Sequence, residues 1–124
     1  MTTTPNPQDD KELLELAARA AGMDYLVWTP GVSPLVPGEK RINGQMVWNP
    51  IHDDGDALRL AIVCNMTICT DGIATVSACS GYGHDKAMVT QAVSECGGNK
   101  NAATRRAIVR TAAKIGRQES SHDS

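Results

Sequence analysis

Apolar residues recur at helical spacing near the start of the chain, where Leu13, Leu14, Ala17, Ala20 and Ala21 mark one face of a helix from Lys11 to about Ala21. Asp9 or Asp10 supplies its N-cap, Glu12 and Glu15 complement the dipole of the first turns, and Gly22 stands at the left-handed C-terminal position. Residues 1–8 have nothing to bury and read as a mobile arm. Asp24 to Trp28 is rich in aromatic and branched side chains, which predicts a strand closed by Thr29-Pro30-Gly31. The prolines and glycines between Pro30 and Gly38 forbid regular structure. Asn43-Gly44, set between Arg41-Ile42 and Gln45–Trp48, predicts a tight hairpin turn, and Pro50 ends the strand that follows it.

A second helix opens at Asp53 or Asp54, with Asp56 in its first turn. Its body, Ala57-Leu-Arg-Leu-Ala-Ile-Val-Cys64, is apolar almost all round, with Arg59 its one charge. Such a helix is expected to be buried on more than one side and to form the centre of the fold. Asn65–Thr70 and Ile73–Cys79 flank Asp71-Gly72, a second hairpin signal. A two-residue turn there pairs Thr70 with Ile73, Ile68 with Thr75 and Met66 with Ser77. Residues 86–95 fit a helical face through Met88, Val89, Ala92, Val93 and Cys96, and fit a third strand almost as well. The last element is a helix from Ala102 to Ile115, capped by Asn101 and stopped by Gly116, ahead of a loose polar tail, 118–124. Between arm and tail, residues 9–117 read as one α+β domain.

Composition narrows the class. The 124 residues carry twelve Lys and Arg against fourteen Asp and Glu, which argues against a nucleic-acid coat and a polybasic membrane binder. No apolar run is long enough for a membrane span, and the N-terminus lacks the layout of a secretory signal, so a cytoplasmic protein is expected. With no Phe and four aromatic residues, the core falls to Leu, Ile, Val, Met and many Ala.

Candidate chemistry is sparse. Cys64, Cys69, Cys79 and Cys96 include no Cys-x-x-Cys pair and read as small buried apolar residues, so neither a metal nor a disulfide is expected. Asp53, Asp54 and Asp56 lack the alternating spacing of a calcium loop and read as helix caps. Cys79 with His84 could form a thiolate pair, but nothing supplies an orienting third residue or an oxyanion site, so no enzyme is expected. Ser80-Gly-Tyr-Gly-His84 lacks both common phosphate-loop spacings and reads as a connecting loop whose Tyr82 could stack on a planar ligand. Arg105, Arg106, Arg110, Lys114 and Arg117 set a basic stripe on the last helix, either a solvated face or a grip for an anion. In the second case Arg106 and Arg110, one turn apart, hold a phosphate together, and replacing both with Gln spares the fold.

Three segments resemble a known family. Trp48-Asn-Pro-Ile-His-Asp-Asp-Gly-Asp-Ala-Leu-Arg-Leu-Ala61 is similar to the central block of small bacteriophage and prophage proteins with the phage ABA-sandwich domain, related in layout to NinX-type proteins. Asn101 to Gly116 resembles their closing helix and Glu12 to Gly22 their first, so the likeness covers about a third of the chain in the family's order. The resemblance implies a small α+β sandwich of order roughly α-β-β-α-β-β-β-α, with three main helices and a short antiparallel sheet, and tips residues 86–95 toward strand. The cysteines of the sheet region and the long Pro/Gly loop depart from that pattern.

The resemblance implies a non-enzymatic accessory binding protein without cofactors, in the cytoplasm of an infected bacterium. The expected role is inhibition of host antiviral defence, by sequestering a small anionic, nucleotide-derived signal, in one form across a homo-oligomer interface, or by occluding a host protein. The alternative is a structural or regulatory module of the prophage with no defence role. For a nucleotide-like ligand the candidate contacts are Arg106, Arg110, Lys114, Tyr82, Trp48 and Arg59. Neither a membrane nor a specific nucleic-acid sequence is an expected partner.

Overall fold

The computed structural model describes residues 7–29, 33–41, 44–81 and 87–122. The first helix, α1, runs Pro7–Ala20, so it starts before the predicted arm ends. A proline suits this first turn, where its missing N–H would have no helical partner. Gly22 takes φ +72°, and Met23 donates its N–H to the Ala18 carbonyl at 2.9 Å, closing the expected left-handed cap. The predicted strand at 24–28 is reduced to one bridge. Val27 pairs with Leu35, and Leu35 pairs with Val47, so the proline-rich segment forms the middle of an irregular three-stranded ribbon. Prolines at 34 and 37 deny a longer ladder its donors, which keeps each pairing to a single bridge. The pleat still sorts side chains, with Leu26, Val36 and Trp48 buried while Val27, Leu35 and Val47 face solvent. Asn43 and Ile42 of the predicted tight hairpin lie outside the described residues.

Helix α2 spans Asp54–Val63, capped by Asp53, whose carboxylate accepts the Asp56 N–H at 2.8 Å. It ends through Asn65, not through a strand. Asn65 takes φ +54° and the Met66 N–H reaches the Ala61 carbonyl at 2.9 Å, the same cap geometry that Gly22 gives α1. Three antiparallel strands follow in the order β1-β2-β3: β1 Thr67–Cys69, β2 Thr75–Ser80 and β3 Ala87–Ala92. The open choice at 86–95 thus resolves as strand, continued by a 3-10 turn at Val93–Cys96.

The register of the first hairpin differs from the one predicted. Ile68 stands opposite Ala78, and Thr67 opposite Cys79, a shift of three residues that makes 70–74 a longer connection. An odd shift exchanges the faces that two strands share. Here it lines up Ile68 with Ala78 and Val89, under which α3 packs, instead of matching Ile68 with the exposed Thr75. Burial of the apolar row outweighs the turn preference of Asp71-Gly72.

Helix α3, Lys100–His122, is longer than expected at both ends and passes through the predicted tail. Asn99 caps it, accepting the Ala102 N–H at 3.0 Å. Gly116 does not stop it. An added Cβ there would lie 2.0 Å from the Leu16 carbonyl oxygen, so the glycine serves a close crossing of α1 and α3. α3 packs on α1, α2, β2 and β3, and Ala103, Ala107, Val109, Thr111 and Ala112 are fully or almost fully buried. It, and not α2, is the centre of the fold. The opposite face of the sheet, with Thr67, Cys69, Thr75, Met88 and Thr90, is exposed, so the described helices cover one side of the sheet.

The fold is therefore α+β, with three helices and a small antiparallel sheet.

Candidate functional site

The α2 helix, expected to be buried on more than one side, exposes an apolar face. Leu58, Ile62 and Val63 are 59%, 64% and 57% exposed, while Ala57, Leu60 and Ala61 on the other side enter the core. Its first turn is anchored by the acidic residue that the sequence places there, Asp56. Asp56 is 3% exposed, and its carboxylate accepts from the Asn49 N–H at 2.8 Å, from the Gln45 amide and from Arg59 at 2.7 Å. These bonds tie the segment 45–49 to α2 and satisfy a buried charge that would otherwise be costly. The three-residue spacing to Arg59 was visible beforehand; the reach to Gln45 and Asn49 depends on the loop between them.

The candidate ligand contacts do not converge. Trp48 is buried in the helical core. Arg59 is engaged by Asp56. Arg106 points to Asp10 of α1 at 3.2 Å, Arg110 donates to the Gln91 side chain of β3 at 2.7 Å, and Lys114 donates to the Met88 carbonyl at 2.9 Å. The basic stripe is thus neither a bare solvated face nor a common grip for one phosphate: Arg106 fastens α3 to α1, and Arg110 and Lys114 fasten it to β3. Tyr82 and His84 lie outside the described residues, and with them the stacking and thiolate-pair expectations. Of the cysteines only Cys64 is buried; Cys69 is exposed, because the register turns it away from α3. Among the described residues no three His, Cys, Asp or Glu side chains gather as a metal site would require. No helix among them is long and apolar enough to cross a membrane.

These fastenings change what the double substitution of Arg106 and Arg110 by Gln should do. Arg106 is 16% exposed at its side chain and its Asp10 partner is also largely covered. Hydrogen bonds to charged groups contribute roughly 1.5–3 kcal/mol each, so the double variant should lower the urea midpoint clearly, not leave it unchanged.

An open groove of about 460 Å³ lies beside the exposed face of α2. Ala57 and Leu58 of α2, Ile68 of β1 and Ile108 of α3 give it apolar walls, and Lys100 and Arg105 bring positive charge. Arg105 is already committed. Its Nη1 is 2.6 Å from Asp54 and its Nε donates to the Ile51 carbonyl at 2.8 Å. Sequence reading missed this place because its third wall, α3, follows α2 and β1 only after two further strands. Leu58 beside Ile62, one turn apart on a helix with little charge, was the signal that could have found it. No protein-family model matches the chain, nor does any curated protein or solved structure. The phage resemblance therefore stands on its three segments alone.

Proposed function

We propose that this chain is a non-enzymatic accessory binding protein of the phage kind, which inhibits a host antiviral defence in the bacterial cytoplasm by occluding a host protein. The observation that supports occlusion is the uncovered apolar face of α2, Leu58, Ile62 and Val63, next to the groove. Leu58 and Ile62 lie one turn apart on the same face, and exposed apolar side chains that adjoin in this way mark places of contact. Capture of a nucleotide-derived signal finds less support, since Arg59, Arg106, Arg110 and Lys114 all have partners within the fold. The phage origin and the defence role rest on the resemblance of Trp48–Ala61, Asn101–Gly116 and Glu12–Gly22 to phage proteins.

The test is phage plating on bacteria that carry a defence system and express either the parent or a Leu58→Lys/Ile62→Lys double variant. The parent should raise plating, and the variant should lose at least tenfold of that gain with its melting midpoint within a degree or two, because both positions are exposed. A variant as active as the parent would overturn occlusion through α2. A parent without effect on any defence tested would favour the prophage module with no defence role. In a thermal-shift screen, cyclic and linear nucleotides should leave the midpoint unmoved; a shift abolished by Arg110→Gln would restore the nucleotide reading.

A further inference from the structure

We infer that the groove between α2, β1 and the N-terminal half of α3 receives an extended peptide segment of the partner, with apolar side chains on its floor and a carboxylate at Lys100. This rests on the occlusion reading above and names the chemistry of what is occluded. The floor is formed by Ala57, Leu58, Ile68 and Ile108, and at about 460 Å³ the groove has the size of a site for a few side chains.

Charge decides what sits beside those side chains. Arg105 is neutralised by Asp54, so it has little left to offer an incoming anion. The Lys100 ammonium has no hydrogen bond or ion pair among the described residues. It stands in the first turn of α3, where the helix dipole adds to its positive potential. One uncompensated positive charge over an apolar floor favours a segment carrying Asp or Glu and disfavours one carrying Lys or Arg.

The third wall of the groove makes the occupant a peptide. Among the described residues β1 is an edge strand that pairs with β2 alone, and its Ile68, with Thr70 just beyond its end, lines the groove. The run Asn65 to Thr70 contains none of the Lys or Pro residues that commonly guard a sheet edge. An extended segment can therefore meet unpaired backbone groups along β1 while its alternate side chains reach the floor. A fatty acid would use the floor and the cation but leave that edge unanswered.

The experiment is selection of a displayed library of random seven-residue peptides on the intact protein and on its Lys100→Glu and Leu58→Lys variants. The parent should enrich peptides with apolar residues at alternate positions and an Asp or Glu next to them. Lys100→Glu should turn that charge preference to Lys and Arg, and Leu58→Lys should abolish enrichment, with melting midpoints unchanged in both. Methylating alternate backbone amides of a selected peptide should weaken its binding at least tenfold. No enrichment on the parent, the same charge preference on Lys100→Glu, or indifference to amide methylation would overturn the proposal. So would laurate displacing the selected peptide and raising the melting midpoint, which would make the site one for amphiphiles. Loss of defence inhibition in the α2 double variant, combined with failed peptide selection, would sink the groove occupant and leave occlusion standing.

Discussion

Replacing Gly116 with alanine should cost about 3 kcal/mol, at the upper end of what one added methyl does in a packed interior. The new Cβ would fall 2.0 Å from the Leu16 carbonyl oxygen and 2.8 Å from its carbon, so it meets backbone and not a side chain that can rotate away. Relief requires α1 and α3 to separate along their contact, which loosens Leu14, Ala17 and Ala18 from Ala112 and their neighbours in the same core. In ordinary circumstances glycine to alanine within a helix is favourable by close to 1 kcal/mol, so the sign of the change is itself diagnostic. Gly38→Ala serves as the control, since nothing lies within 4 Å of the Cβ it would add. Urea denaturation should show a large drop in midpoint for Gly116→Ala and almost none for Gly38→Ala; equal midpoints would mean that the two helices do not cross so closely.

Leu60→Ala should be similarly damaging, losing roughly 2–5 kcal/mol, a large part of the stability of a domain this size. Leu60 is 2% exposed and belongs to the cluster that holds Leu26, Trp48, Ile51 and Ile108. Truncation leaves a cavity among residues drawn from α2, α3 and the ribbon. Two positions further along the same helix the outcome should reverse. Ile62 is 64% exposed, so Ile62→Ala should move the midpoint by less than about 0.5 kcal/mol. Comparable losses at 60 and 62 would mean that α2 is covered on both sides, as its composition suggests.

That contrast shows where sequence reading reaches its limit. Leu60 and Ile62 look alike in an apolar run, because periodicity identifies a buried stripe only when polar residues mark the other side. With Arg59 as the one charge beyond its first turn, α2 offers no such mark, and its outward face became visible only once α3 occupied the centre. The candidate site suffers in the same way. A cation on a helix can be placed on a face from its number, but whether it meets solvent or a carboxylate depends on the neighbouring element. Arg106 finds Asp10 almost the whole chain away, and Arg105 finds Asp54 on the far side of the three strands in sequence.

What the sequence by itself determined is local: three helices, an aspartate cap at position 53 or 54, the left-handed turn at Gly22, and a sheet region between Asn65 and the last helix. Each of these follows from interactions within a few residues, such as side-chain oxygens on free N–H groups and the tolerance of glycine for positive φ. The tertiary structure alone decided the rest. It chose strand for 87–92, because alternate burial of Ala87, Val89 and Gln91 satisfies the sheet, where a helical face of Met88, Val89, Ala92, Val93 and Cys96 fits the sequence at least as well. It shifted the β1–β2 register by three so that Ile68 lies over α3. At Gly116 it overrode the local signal for a helix end, since the absence of a Cβ lets α1 and α3 touch backbone to side-chain-free backbone, and the helix continues to His122. Long-range packing buries more apolar surface than any single cap or turn can offset, and it prevails wherever the two disagree.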